Sequence, residues 1–99
     1  MTIHDQNRRI RVLICDDHPM MVLGIKDFLS TQKSVEIVHT ASDGEEALLK
    51  SKELKPDIVL MDIGLKGNIN GIEATALIRK ENSDVKVIIL TMHDEEKNR

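Results

Sequence analysis

The chain has 99 residues, of which 14 are basic and 17 acidic, and its formal net charge is -3. This length predicts one small domain, and the mixing of the two charge types argues against a dedicated nucleic-acid-binding surface within it. With 40% apolar and 1% aromatic residues, the core must consist of Ile, Val, Leu and Met. No apolar run approaches the roughly 20 residues of a membrane span. The single cysteine, Cys15, excludes a disulfide framework and favours a reducing compartment.

Four short apolar runs predict four strands. In chain order they cover residues 10–15, 35–40, 58–62 and 85–91. The third is the most uniformly apolar and ends on the acid Asp62, so we expect it to be buried on both faces. The second is less apolar, which indicates an edge position. Residues 1–9 are polar without a hydrophobic segment, and we interpret them as a flexible N-terminal tail.

Helical patterns fill the intervals between the strands. They cover residues 19–31, a segment that starts within 42–46 and continues to about residue 54, and residues 71–81. Pro19 suits a first helical turn, and the expected N-caps are Asp16 or Asp17 for the first helix and Ser42 or Asp43 for the second. The residues expected to face the core are Met21 or Val22, Ile25, Phe28 and Leu29, then Ala47, Leu48 and Leu54, then Ile72, Leu77 and Ile78. Residues 93–96 predict the start of a fourth helix.

Polar residues follow three of the four predicted strands. Asp16 and Asp17 come after the first strand, Asp62 ends the third, and Thr91 ends the fourth. Alternation of strands with helices of this length predicts right-handed parallel crossovers, and parallel strands bring their carboxyl ends to one edge of the sheet. We therefore expect three acids and a hydroxyl to meet where open α/β sheets place their ligand sites.

The composition of this predicted site suggests phosphoryl transfer onto an aspartate. Three carboxylates repel one another, and Mg²⁺ suits an oxygen-rich site with few protein ligands. A bound metal offsets the charge of an approaching phosphoryl group, which a carboxylate can then attack to form an acyl phosphate. Thr91 is placed to hydrogen-bond a phosphoryl oxygen.

Each of these residues also has an ordinary structural interpretation. Residues 16–17 could cap a helix, and Asp62 and Thr91 could simply end their strands; the common register of all of them favours a site. His18 and His93 flank the site, but we interpret them as solvent-facing loop residues. Cys15 is interpreted as a small buried hydrophobe.

Several local motifs resemble the receiver domain of two-component response regulators. The segments CDDHPM, SDGEEAL, PDIVLMDIGL, NGIEATALIR and VIILTMHDE are similar to the NarL/LuxR-type (NarL/FixJ) subfamily. The resemblance covers residues 11–96. It implies an α/β, flavodoxin-like (CheY-like) doubly wound parallel sheet of strand order 2-1-3-4, with residues 10–99 forming the receiver domain.

The resemblance also implies a role for each site residue. Asp62 would be the phosphoacceptor, and Asp17, assisted by Asp16, would bind Mg²⁺ together with Asp62 and the backbone carbonyl of Gly64. Thr91 would be the switch hydroxyl that moves toward the phosphoryl group. A sensor histidine kinase would donate the phosphoryl group, in a bacterial cytoplasm. DNA would be bound only through a C-terminal helix-turn-helix domain absent from this sequence, and no membrane contact is expected. The chain would be a signalling domain and not an enzyme.

The sequence departs from the family pattern in two places. Lys66 stands where the family usually has Pro, and Gly71 lies one position later than the usual Gly, which indicates an insertion within residues 66–70. The family's fifth strand, fifth helix and the Lys that follows that strand are not found, since Lys97 lies too early. We therefore expect an incomplete receiver whose fourth strand becomes an open edge, and a homodimer or swapped oligomer formed through it.

Three other functions remain open at this point. A phosphatase of the haloacid-dehalogenase type also uses a strand-end aspartate, but it needs a second Asp where Gly64 stands. A flavodoxin-like cofactor binder would need a phosphate-binding loop where Asp16 and Asp17 would repel phosphate. A degenerate receiver that acts only as an interaction module is the third alternative.

Overall fold

The computed structural model describes residues 8–91. Four strands alternate with three helices in this part of the chain. The strands are β1 (Ile10–Cys15), β2 (Val35–Ala41), β3 (Ile58–Asp62) and β4 (Lys86–Leu90), and the helices are α1 (Pro19–Leu29), α2 (Gly44–Leu54) and α3 (Gly71–Glu81). All seven predicted elements are present, with ends that differ by one or two residues. The predicted fourth helix at 93–96 and residues 1–7 of the predicted tail lie outside the described residues.

The strands form one parallel sheet in the order β2-β1-β3-β4, as predicted. The chain moves from β1 to β2 in one direction and then from β2 through β3 to β4 in the other. Right-handed crossovers therefore place α1 on one face of the sheet and α2 and α3 on the opposite face. The close packing of α2 against α3 agrees with this arrangement.

The hydrophobic core lies between the sheet and the pair α2 and α3. Alternate residues of β1 and β3 point into it, because successive side chains of a strand face opposite sides of the sheet. Its fully buried members include Leu13, Cys15, Val59, Met61 and Ile78. We predicted that β3 is buried on both faces, and this is correct only for the face that packs against α2 and α3. On the opposite face, Ile58 and Leu60 are only half-buried.

The predicted inward faces of two helices are wrong in part. In α1, the predicted residues Met21, Val22, Ile25 and Leu29 are half-buried, but Phe28 is 68% exposed. In α3, Ile72 is 61% exposed, whereas Ala74 and Ile78 are fully buried. The small side chain of Ala74 lets α3 approach the sheet and α2 closely. This close packing determines which face of α3 is buried, and the spacing of apolar residues alone does not predict that face.

Strands β2 and β4 are the edges of the sheet within residues 8–91. The edge position of β2 was predicted from its mixed composition. On β4, Ile88 and Ile89 are exposed. Association between chains through β4 stays a prediction. None of the described helices is long and apolar enough to cross a membrane.

The N-termini of α2 and α3 are capped by side chains. Asp43 accepts a hydrogen bond from the Glu46 backbone N–H, so Asp43 and not Ser42 is the cap of α2. Asn70 accepts from the Glu73 N–H while the Glu73 carboxylate accepts from the Asn70 N–H, which is a complete capping box. The second cap fixes the point at which the loop after β3 turns into α3.

The C-terminus of α2 holds a lysine in a left-handed conformation. Lys55 has φ 48°, and its N–H donates to the Ser51 carbonyl. This conformation costs a side-chain-bearing residue about 1–2 kcal/mol that glycine avoids. We expect Lys55→Gly to raise the free energy of unfolding by about 1 kcal/mol in urea denaturation. Lys52→Gly, one turn earlier in the same helix, is the control and is expected to lower it by about 1 kcal/mol. Equal losses in both variants would contradict the prediction.

Candidate functional site

Asp62 ends β3, a central strand, and points its carboxylate out of the carboxyl edge of the sheet. The residue is 1% exposed. Its Oδ1 accepts a hydrogen bond from the Gly64 backbone N–H at 2.9 Å. Its buried Oδ2 has no hydrogen-bond donor. An unpaired, buried carboxylate oxygen is costly, so this atom is the strongest sign of a ligand site in the described chain.

The two acids after β1 lie beside Asp62. Asp16 is 3% exposed and is held by a hydrogen bond from its own N–H to the Ala41 carbonyl at 3.0 Å. Asp17 is exposed at the rim. The expectation that one of them caps α1 is wrong, because the N-cap residue is His18 and no side chain caps that helix. The Asp16 side chain instead accepts a hydrogen bond from the His18 backbone N–H at 2.9 Å. This N–H belongs to the N-cap residue and not to the first turn of α1, so the hydrogen bond does not cap the helix. Pro19 opens α1 as predicted.

His18 is the site residue that the sequence interpretation missed. Its side chain is 51% exposed, yet Nδ1 lies 2.7 Å from Asp16 Oδ1, 3.2 Å from Asp17 Oδ1 and 3.3 Å from Asp62 Oδ2. The hydrogen bond from Nδ1 goes to Asp16, so Asp62 Oδ2 stays without a donor. The hydrogen bond to Asp16, with the nearby acids, raises the pKa of His18 above its usual value. The position of His18 directly after two acids was the available signal.

The four side chains can share one cation. One ligand atom from each of Asp16, Asp17, His18 and Asp62 lies within 4.8 Å of all the others. Three carboxylates so close together carry like charges that repel, and a divalent cation relieves that repulsion. The carboxylate oxygens, among them the Asp62 Oδ2 that accepts no hydrogen bond, therefore fit a hard cation such as Mg²⁺.

The other two predicted site residues, Gly64 and Thr91, differ in whether they contact the acids. Gly64 contacts Asp62 through its N–H, a role that the sequence did not suggest. Thr91 is exposed and directly follows β4, one residue past Leu90, the register partner of Asp62. It makes no hydrogen bond to the acids within residues 8–91. The structure thus brings the three acids together and leaves Thr91 at the same edge of the sheet.

The loop after β3 is anchored at both ends. Its first residues turn back on Asp62, and Leu65 is buried. At its far end, a Cβ on Gly71 would overlap the Asp62 carbonyl oxygen, and a Cβ on Gly44 would overlap the Ile69 carbonyl oxygen. Lys66 and Gly67 lie exposed between these anchors, which is where the sequence placed the inserted residue.

Cys15 belongs to the core and not to the site. It is fully buried, and its Sγ lies 3.5 Å from the Asp43 carbonyl oxygen. Burial, with the nearby Asp43, raises the pKa of the thiol to about 12. It is therefore an unreactive thiol at neutral pH, in agreement with the structural interpretation.

A parallel sheet of order 2-1-3-4, with acids converging beyond its first and third strands, defines a CheY-like receiver fold. The family model described as response regulator receiver domain matches residues 12–99. The chain belongs to the response regulator receiver domain family, as the sequence motifs indicated.

Individual relatives agree with this assignment. Response regulator protein VraR of Staphylococcus aureus is 46% identical over 88 residues, which are 89% of this chain and 42% of VraR. The response regulator domain of Thermotoga maritima CheB is 44% identical, with a TM-score of 0.79 over 85% of this chain and 61% of that one. The signal receiver domain of the putative response regulator NarL from Mycobacterium tuberculosis is 33% identical, with a TM-score of 0.81 over 91% and 72%. The chain thus spans less than half the length of VraR.

Proposed function

We propose that Asp62 accepts a phosphoryl group from the phosphohistidine of a sensor histidine kinase. The observation that carries this proposal is the buried Oδ2 of Asp62, which has no hydrogen-bond donor and faces two further acids. The Gly64 N–H donates to Oδ1 and so holds the carboxylate in position, while Oδ2 accepts no hydrogen bond. As a bond from an Asp62 carboxylate oxygen to phosphorus forms, the phosphorus–nitrogen bond of the phosphohistidine breaks, and the imidazole nitrogen keeps the electron pair.

Mg²⁺ is the cofactor of the proposed reaction. Asp17, Asp16, Asp62 and the Gly64 carbonyl would hold it, and it would offset the charge of the incoming phosphoryl group. Burial of Asp16 and Asp62 at the ends of adjacent strands keeps both carboxylates in fixed positions before any ligand arrives. Preorganised ligands of this kind lose little entropy when the ion binds.

The proposed output is a change at the carboxyl end of β4. Thr91 lies one residue past Leu90, the register partner of Asp62, and makes no hydrogen bond to the acids within residues 8–91, so it can move toward a phosphoryl group on Asp62. We propose that this movement regulates transcription through a DNA-binding output domain, in a bacterial cytoplasm. The chain itself is a signalling domain that supports its own phosphorylation and is not an enzyme.

Incubation with Mg²⁺ and acetyl phosphate, followed by intact mass spectrometry, tests the proposal. We expect one phosphoryl adduct on the chain and none on Asp62→Asn. The control is Asp57→Asn, at the opposite end of the same strand, which should still form the adduct. An adduct that survives in Asp62→Asn would refute the role of Asp62. No adduct on the unchanged chain would favour a receiver that acts only as an interaction module.

A further inference from the structure

The imidazole of His18 faces the same carboxylates that form the proposed magnesium site. We propose that His18 Nδ1 is a nitrogen ligand, which makes this site also a binding site for first-row transition ions that prefer imidazole, with Zn²⁺ as the test ion. The inference rests on the metal site of the proposed function and adds a ligand and a second class of metal to it.

The position of the His18 ring follows from the backbone. Its N–H is held by Asp16 Oδ1 at 2.9 Å, and Pro19 restricts the chain directly after it. The ring therefore lies over the acids, with Nδ1 between 2.7 and 3.3 Å from one oxygen of each. Half of the side chain stays exposed, so no part of the core has to open for an ion to enter.

The buried Oδ2 of Asp62 gives independent support for a ligand at this point. It is fully buried and lacks a donor although His18 is near, because Nδ1 directs its hydrogen bond at Asp16. A cation between Nδ1 and the three carboxylates would contact this oxygen and replace the hydrogen bond that holds the ring. In that state the imidazole would be neutral, with its hydrogen on Nε2.

The donor set decides which metals gain from His18. Mg²⁺ prefers oxygen ligands and keeps several waters, so it gains little from an imidazole. Zn²⁺, Co²⁺ and Ni²⁺ bind imidazole well, and Zn²⁺ is commonly held by mixed histidine and carboxylate ligands. Three carboxylate oxygens and one imidazole nitrogen from Asp16, Asp17, Asp62 and His18 make up the four ligands that Zn²⁺ usually takes.

A second histidine offers a matched control. His39 Nε2 pairs with Glu46 Oε2 at 2.8 Å, so it too contacts a carboxylate, but it does not belong to the cluster of acids. His39→Asn therefore removes an imidazole without touching the proposed site. His18→Asn keeps a residue that is favoured at an N-cap, so α1 should form in both variants.

The test measures Zn²⁺ affinity by competition with a chromogenic chelator, Mg²⁺ affinity by calorimetry, and the visible absorption of bound Co²⁺. We expect His18→Asn to weaken Zn²⁺ binding by about tenfold or more and to change the Co²⁺ spectrum, with Mg²⁺ affinity retained. His39→Asn should behave like the unchanged chain in all three measurements. Circular dichroism of each variant verifies that it is folded.

Three results would overturn the inference. They are unchanged Zn²⁺ affinity and Co²⁺ spectrum in His18→Asn, an equal loss in His39→Asn, and no Zn²⁺ binding by the unchanged chain. None of these results would bear on the Mg²⁺-dependent phosphorylation of Asp62, which the mass spectrometry experiment tests separately. Asp62→Asn locates the ion: if it leaves both Mg²⁺ and Zn²⁺ affinity unchanged, the metal site of the proposed function fails as well.

Discussion

Replacing Asp62 by Asn is expected to raise the free energy of unfolding of the metal-free chain by about 1–3 kcal/mol. The substitution removes one of three converging negative charges and the buried oxygen that lacks a donor. The amide oxygen of Asn can still accept from the Gly64 N–H, and its NH₂ group can donate to Asp16 or Asp17. A change that removes the proposed function is thus expected to stabilise the fold, because His18 Nδ1 hydrogen-bonds Asp16 and leaves Asp62 Oδ2 buried without a donor beside two other acids.

The same substitution should abolish stabilisation by Mg²⁺. An ion that binds only the folded chain adds about 2.7 kcal/mol at one hundred times its dissociation constant. We expect the melting temperature of the unchanged chain to rise with Mg²⁺ and that of Asp62→Asn to stay constant.

Asp57→Asn is the matched control for both effects. Asp57 precedes the same strand at its other end, where it accepts from the Arg11 N–H at 2.8 Å and pairs with Arg8 at 2.9 Å. Its replacement should give no gain in stability and should preserve the Mg²⁺ response. Thermal denaturation of the three proteins with and without Mg²⁺ is the measurement. A destabilised Asp62→Asn variant, or one that still responds to Mg²⁺, would contradict the prediction.

Gly71→Ala is expected to lower the free energy of unfolding by about 1–3 kcal/mol, because overpacking forces the backbone to shift. A Cβ at this position would overlap the Asp62 carbonyl oxygen and lie 3.2 Å from the Ile63 Cα. These are backbone atoms at the end of β3 and the start of its loop, so they cannot rotate away as a side chain would. The same shift would displace Asp62, and we expect slower formation of the phosphoryl adduct.

Gly24→Ala is the identical change at a site without neighbours. Gly24 lies inside α1, and a Cβ there would meet no atom within 4 Å. Alanine should stabilise this helix by about 0.5–1 kcal/mol. Urea denaturation of both variants gives the comparison. Equal effects of the two substitutions would show that the contact between Gly71 and Asp62 does not constrain the fold.

Much of the fold was predictable because its signals are local. Runs of four apolar residues placed β1, β3 and β4, a mixed apolar segment placed β2, and polar caps such as Asp43 and Asn70 mark the points where helices begin. The convergence of Asp16, Asp17 and Asp62 followed from topology, since parallel strands align their carboxyl ends. The wrong predictions concern the cap of α1 and the helix faces. Ile72 and Leu77 fit an apolar stripe as well as Ile78 does, and only packing against the sheet and α2 separates them.

By itself the sequence determined the order of elements, the parallel sheet and the three acids at its edge. These depend on composition, on spacing along the chain and on the handedness of crossovers. Tertiary structure alone decided that His18 turns back over the acids, that Gly64 donates to Asp62 and that Gly71 contacts its backbone. These contacts depend on the conformations of the loops that follow β1 and β3. The conformation of a loop depends in turn on what the elements at both of its ends pack against. The hydrophobic periodicity of the sequence therefore does not predict these loop conformations.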